Sequence, residues 1–325
     1  MTAERVLITG ALGCIGAWAV RLLLATDAEV TVFDLDDDAH RMRLIMPAET
    51  IDRVRFLRGD ITDEGAVAAA FHTTRPTDVL HLAGLQIPAC RANPALGARV
   101  NVVGTVNVFE AARQAGIEHL AYASSIAAYG PAEEYGPGLL TADAPLLPRT
   151  LYGVFKQADE GIAQVYWHEH GLSSISLRPY IVYGAGRDQG LTSSPTVAML
   201  AAAAGQPHHI PYGGRADMQY VADVAEIFIR AMRTPIPGAA AYNIQGSIVS
   251  MAEVIAAIEA VVPDMRGQFT FDDQPLPYSA GADDSAVRAA LGDLPATPLS
   301  EGVAATIELF RTALAAGTIR HDGAG

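Results

Sequence analysis

The chain has 325 residues, half of them apolar, and a formal net charge of −14. That acidic balance argues against nucleic acid or an anionic membrane surface as a partner, and no apolar run reaches the length of about 18 residues that crosses a bilayer. Two cysteines, Cys14 and Cys90, make no disulfide framework and fit a reducing cytoplasm. A strand pattern begins within a few residues of Met1, so no signal peptide is expected, and no internal repeat is visible.

The expected elements follow in chain order. Arg5-Val-Leu-Ile-Thr9 is a short apolar run ending in glycines, the pattern of a buried strand. A helical periodicity covers 16–25, and Glu29-Val-Thr-Val-Phe33 is a second strand that ends at Asp34. Arg53-Val-Arg-Phe-Leu57 is a third, closing on Gly59-Asp60-Ile61. A helix runs from Thr62 to Phe71, and a fourth strand, Asp78-Val-Leu-His-Leu82, ends at Ala83-Gly84. One long helix is expected over 94–115, then the strand His119-Leu-Ala-Tyr-Ala123. A helix reaching to about residue 170 carries Tyr152 and Lys156, and Ser174-Ile-Ser-Leu-Arg178 is the next strand. Strand alternating with helix is the signature of a parallel sheet covered on both faces.

Beyond about residue 180 loops lengthen, and Pro and Gly become frequent. A helix is expected over 221–232. Ser250-Met-Ala-Glu253 reads as a capping box before a helix over 254–262, and Ser300 reads as the cap of a final helix. The division expected is 1–180 and 181–325, the second part being smaller and substrate-facing. A stretch near 221–245 is expected to return to the large sheet.

Thr9-Gly-Ala-Leu-Gly-Cys-Ile-Gly16 places glycines at 10, 13 and 16, between the first strand and the first helix. There the bare N–H groups of a helix N-terminus can meet a dinucleotide pyrophosphate, and glycine lets the backbone come close. Asp34 ends the second strand 18 residues after Gly16. A carboxylate there accepts from both adenosine ribose hydroxyls and repels a 2′-phosphate, which selects NAD over NADP. Asp60 is a candidate for the adenine amino group, with a loop cap as the competing role. Cys14 lies inside the loop; an accessible thiol there would make cofactor binding sensitive to alkylation.

Lys156 is the only lysine beside 21 arginines. An ammonium is a compact point charge and guanidinium a planar fork, so a lone lysine points to a place where only an ammonium serves. Tyr152 lies four residues earlier on the same helix face, and a positive charge beside a phenol favours the phenolate, the makings of a proton-transfer pair. His208-His209 does not chelate one ion, since neighbours on a strand point to opposite faces, and no metal is expected.

With these motifs, the chain resembles the extended short-chain dehydrogenase/reductases of the NAD-dependent epimerase/dehydratase type. The likeness also rests on His81-Leu-Ala-Gly84, Asn101-Val-Val-Gly-Thr105, Ser124-Ser-Ile-Ala-Ala-Tyr-Gly130, Arg178-Pro-Tyr-Ile-Val-Tyr-Gly184 and Tyr220-Val-Ala-Asp223. It implies an α/β fold: a Rossmann-type doubly wound parallel sheet with a smaller C-terminal α/β substrate-binding domain. It implies Tyr152 as the acid/base, Lys156 as the group that binds the nicotinamide ribose and supports Tyr152, and Ser125 as the hydroxyl that polarises the reacting C–O bond. The NAD site it implies comprises Gly10, Gly13, Cys14, Ile15, Gly16, Asp34, Asp60, Ile61, Leu82, Ala83, Gly84, Tyr152, Lys156, Pro179 and Tyr180. Asn101 is expected to support helix and sheet. A homodimer through helices near 94–115 and 151–170 is implied as well.

Two departures bear on substrate. Nucleotide-sugar members usually carry Asn where Ile181 stands and Arg where Ala216 stands, both serving a diphosphate whose buried charge needs partners. Their loss points to a smaller sugar, polyol, sugar acid or hydroxy acid. Candidate contacts are Gln86, Ser125, Ile126, Ile181, Arg187, Thr192 and Arg215, with Ser193 and Gln219 also polar and nearby in sequence. The expected activity is oxidation of a secondary alcohol by NAD. The alternatives are a sugar or nucleotide-sugar epimerase that retains NAD and, less favoured, a non-catalytic NAD sensor, which needs no Ser-Tyr-Lys set. Ile126-Ala127 after Ser125 disfavours a dehydratase, which usually carries an acid pair there.

Overall fold

The computed structural model describes residues 4–319. Its strands in chain order are β1 (Arg5–Thr9), β2 (Glu29–Asp34), β3 (Arg55–Arg58), β4 (Asp78–His81), β5 (His119–Ala123), β6 (Ser173–Arg178), β7 (Ile181–Tyr183), β8 (His208–Ile210), β9 (Arg215–Tyr220), β10 (Ala239–Asn243), β11 (Ser247–Ser250) and β12 (Phe269–Phe271). Seven form one sheet in the order β10-β6-β5-β4-β1-β2-β3, and every neighbouring pair in it is parallel. β1 lies inside the sheet between β4 and β2, and its residues alternate between two cores. Val6 and Ile8 pack with Trp18 and Leu23 on one face; Leu7 packs with Phe71 and Phe109 on the other. Period-two alternation inside an unbroken apolar run is what a strand covered on both sides requires.

The C-terminal part is interleaved with this sheet. The helix Val221–Arg233 packs on the helix Cys14–Leu24, and β10 adds to the sheet edge beside β6. A three-stranded sheet (β11-β9-β7) and a parallel pair (β12-β8) make the remainder. The capping box at Ser250 is present, Ser250 and Glu253 each bonding the other's backbone N–H.

Several elements differ from the sequence expectation. The single helix over 94–115 is three pieces, Pro94–Ala98, a π-helical turn Arg99–Val103 and Gly104–Gln114, and a further short helix, Ile87–Ala92, precedes them. Asn101 explains the break. It is fully buried, and its amide accepts from Leu85 N (2.8 Å) and donates to Leu85 O (3.0 Å), so the helix widens to hold the loop after β4. Short helices His40–Ile45 and Ala48–Ile51 fill the connection before β3. The final helix, Leu299–Ala315, starts after Pro298, so Ser300 lies inside its first turn and is not its cap.

Candidate active site

The loop after β1 is built for a backbone-to-phosphate approach. Gly10 has φ +70°, and a Cβ on it would stand 2.4 Å from Ala83 N. Only glycine lets this turn lie against the loop that follows β4. Gly13 is the N-cap residue of the helix Cys14–Leu24 and no side chain caps that end, so its first N–H groups have no partner within the helix. A Cβ on Gly16 would collide with Ala11 at 2.5 Å. An uncapped helix start behind a glycine-bearing turn fits a dinucleotide pyrophosphate. Gly10, Gly13 and Gly16, with Cys14 and Ile15 between them, are the residues that would hold it.

Asp34 stands at the end of β2 and reaches over this loop. Its Oδ2 accepts from Leu12 N (3.0 Å) and its Oδ1 from Leu35 N (2.9 Å). Burial raises its carboxyl pKa, and those two N–H bonds oppose the rise. Asp34 thus fixes the glycine loop. Asp60 is exposed and its Oδ1 caps the turn at Thr62 N (2.8 Å), the role weighed against an adenine contact. Ile61 is buried, and its carbonyl accepts from Asn107 Nδ2 (2.9 Å). Cys14 is half-buried, and desolvation pushes its thiol up to about 12 against the pull of Arg187 and Arg41, which disfavours the thiolate that alkylation needs.

The second half of the site hangs on the helix Leu151–His170. Thr150 caps it, its side chain accepting from Gly153 N (3.0 Å). A Cβ on Gly153 would lie 2.0 Å from Ala127 O, so glycine lets the first turn press against the short 3₁₀ turn Ile126–Ala128. That contact sets Tyr152 near the segment holding Ser125. The Ser125 hydroxyl accepts from Ala127 N (3.1 Å), which leaves its own hydrogen free to donate.

Lys156 is buried, 4% exposed. Its Nζ donates to Ala123 O (2.8 Å) and to Asp159 Oδ2 (3.1 Å), and lies 6.0 Å from the centre of the Tyr152 ring. Burial works against the ammonium, but Asp159 and Tyr152 outweigh it, and the Lys156 pKa is raised. Burial lifts the Asp159 carboxyl to about 6, although Lys156 pulls it down. Gly84 closes this corner: a Cβ there would stand 2.8 Å from Asn101 Oδ1 and 3.7 Å from Lys156 Nζ. Leu82 and Ala83 lead into it, Leu82 N bonding Thr9 O (3.0 Å). His81 is locked between Thr9 Oγ1 (2.6 Å) and Thr105 Oγ1 (3.1 Å), and burial depresses its pKa to about 3, the behaviour of a neutral packing histidine.

The remaining expected residues divide. Pro179 O accepts from Ile126 N (3.0 Å), and Tyr180 N donates to Gln219 Oε1 (2.9 Å). Gln219 is buried and saturated by Tyr180, Asp217 and Ile244, so it braces the loop and is withdrawn as a substrate contact. Ile126 and Ile181 are buried core residues, which leaves them packing roles. Arg215 is exposed on β9 and engaged with Glu253 (3.3 Å) and Ile248 O (2.6 Å). Gln86, Arg187 and Thr192 do come together: Arg187 Nη2 donates to Thr192 Oγ1 (2.9 Å), and a Cβ on Gly190 would meet both Gln86 Oε1 (2.8 Å) and Arg187 Nη2 (3.9 Å). His208 bonds Ser194 and His209 bonds Thr270 and Asp272, so the two histidines serve separate partners.

Two features escaped the sequence. Asp159, three residues after Lys156, was legible from helical spacing alone. The strap Arg41–Asp188 was not: Arg41 bonds Asp188 (2.8 Å) and Leu12 O (2.9 Å), joining residues 147 apart across the glycine loop. With its guanidinium so engaged, Arg41 is not free for a 2′-phosphate beside Asp34.

Comparison with known proteins agrees with this geometry. The sequence model of the NAD dependent epimerase/dehydratase family matches residues 6–244. A UDP-glucose 4-epimerase of Mycolicibacterium smegmatis is 32% identical over 94% of this chain and 98% of its own. The solved Thermus thermophilus UDP-glucose 4-epimerase in complex with NAD is 30% identical, with a TM-score of 0.80 over 95% of this chain and 100% of that one. An L-threonine dehydrogenase from Cupriavidus necator is 26% identical, with a TM-score of 0.79 over 94% and 99%. The glycine loop, the seven-stranded sheet and these likenesses together place the chain in the NAD-dependent epimerase/dehydratase family, an enzyme of the extended short-chain dehydrogenase/reductase type whose cofactor is NAD.

Proposed function

We propose that the chain is a dehydrogenase that oxidises a secondary alcohol of a small polar substrate. The observation that carries this reading is the seating of Lys156, a buried ammonium held by Ala123 O and Asp159 beside Tyr152. NAD supplies the hydride acceptor. Tyr152 takes the proton of the substrate hydroxyl; Ser125 donates to the same oxygen and steadies its developing charge. Lys156 places its charge beside the Tyr152 ring and offers its remaining N–H to a ribose hydroxyl.

The absence of diphosphate partners at the two departed positions supports a small substrate. Ile181 and Ala216 are apolar and buried. An epimerase is the second reading, favoured by the M. smegmatis relative. The two separate in one assay: purified protein with NAD and a panel of sugars, polyols, sugar acids and hydroxy acids, followed by NADH absorbance. The dehydrogenase yields many NADH per chain with at least one compound. Silence across the panel, with NAD retained through purification, supports the epimerase instead.

A cytoplasmic homodimer fits as well. Among the described residues no helix is long and apolar enough to cross a membrane. Val103, Leu151, Val154 and Val165, on the helices expected to pair, are 44–50% exposed. Light scattering is expected to give twice 34.2 kDa, and a monomer mass would contradict it.

A further inference from the structure

The geometry points to a carboxylate-binding subsite at Arg187, which makes the substrate a hydroxy acid or sugar acid whose acid group sits there while its alcohol faces Tyr152. This rests on the dehydrogenase reading and names its substrate class.

Arg187 is half-buried in the loop after β7, and its guanidinium is under-used. Nη2 bonds Thr192 Oγ1, Nε is buried without any partner, and it forms no ion pair among the described residues. The neighbouring carboxylate, Asp188, is committed to Arg41. In a chain with 36 acidic residues, a half-buried guanidinium kept clear of them is a site reserved for an external anion. The groups around it are neutral hydrogen-bonders: Gln86 and Thr192, and Tyr212, whose buried hydroxyl also lacks a partner and feels Arg187's charge. A carboxylate on Arg187 would give Nε its missing acceptor.

One short loop borders both Arg187 and the corner that holds Lys156. Gly84 touches the surroundings of Lys156, and Gln86, two residues on, reaches Gly190 beside Arg187. Tyr180, which follows Pro179, meets Tyr278 edge-on at 6.1 Å.

The competing anion is the NAD pyrophosphate, since Cys14 of the glycine loop also lies in Arg187's field. The test is isothermal titration of NAD-loaded protein with L-tartrate, D-gluconate and D-galacturonate, each against a neutral counterpart (threitol, D-glucitol, D-galactose). NAD titration runs in parallel. At least one acid is expected to bind more tightly than its counterpart. Arg187→Gln should weaken that acid about tenfold or more, Arg187→Lys should restore part of it, and NAD affinity should stay within about twofold. No preference for any acid, or an acid affinity untouched by Arg187→Gln, would overturn the subsite. A loss falling on NAD instead would assign Arg187 to the pyrophosphate and overturn it equally. NADH formed only from neutral compounds would keep the dehydrogenase and discard the subsite. Acid binding through Arg187 without NADH would keep the subsite and discard the dehydrogenase.

Discussion

Lys156→Arg is expected to lower kcat about a thousandfold while the protein stays folded. The pocket at Lys156 accepts a single nitrogen between Ala123 O and Asp159 Oδ2. A planar fork carries three nitrogens and five N–H groups into that space, where Gly84 and Asn101 crowd the exit. The charge survives and its placement does not. Steady-state kinetics with a melting curve check this; a kcat within about threefold of wild type would show that charge alone suffices. The same pair predicts a pH effect. Asp159, facing Lys156 with Thr105 and Glu160 close by, titrates near 6 in the folded chain. As pH falls through that value Asp159 gains a proton and the ammonium loses its counter-charge. An acidic limb in kcat/KM near pH 6 is expected, and Asp159→Asn should remove it. A limb unchanged in that variant would assign the titration elsewhere.

Glu160→Ala is expected to destabilise the fold by about 3–5 kcal/mol, the range for stripping one partner from a buried ion pair. Glu160 and Arg178 face each other in a two-bond fork, Nε to Oε1 at 2.8 Å and Nη2 to Oε2 at 2.7 Å, with side chains 10% and 4% exposed. Ser124 Oγ adds a 2.6 Å bond to Glu160, and Arg178 reaches Ala142 O (2.8 Å) and the Tyr129 hydroxyl. The pair locks the helix Leu151–His170 onto the end of β6, one turn beyond Lys156. Losing the carboxylate strands a guanidinium in the interior. Urea unfolding measures the cost, and a loss under about 1 kcal/mol would contradict it. The double variant Glu160→Leu/Arg178→Met should recover much of the loss, because no charge is then left unpaired.

What the sequence revealed depended on locality. The glycine loop, Asp34 and the Tyr152/Lys156 spacing are each fixed by a few neighbouring residues, so periodicity and turn chemistry located them. The parallel sheet followed from alternation of strand and helix, and β1's unbroken apolar run matches its burial on both faces. Asp159 was within reach of the same reasoning. The break at Asn101 was not, because it answers to Leu85, 16 residues away. Asp188's bond to Arg41 spans 147 residues and leaves no local pattern. Arg215 and Gln219 looked like ligands because they are polar near a site in sequence. Their partners, Glu253 and Tyr180, were fixed only by the pairing of β9 with β7 and β11.

The central claim, hydride removal from a small alcohol under Tyr152 and Lys156, is tested most directly by counting NADH released per chain with the substrate panel, wild type beside Tyr152→Phe, with NAD binding measured in both. The account predicts many turnovers in wild type, a fall of about a thousandfold in Tyr152→Phe, and equal NAD affinity. Turnover persisting in Tyr152→Phe, or at most one NADH per wild-type chain with every compound, would contradict it.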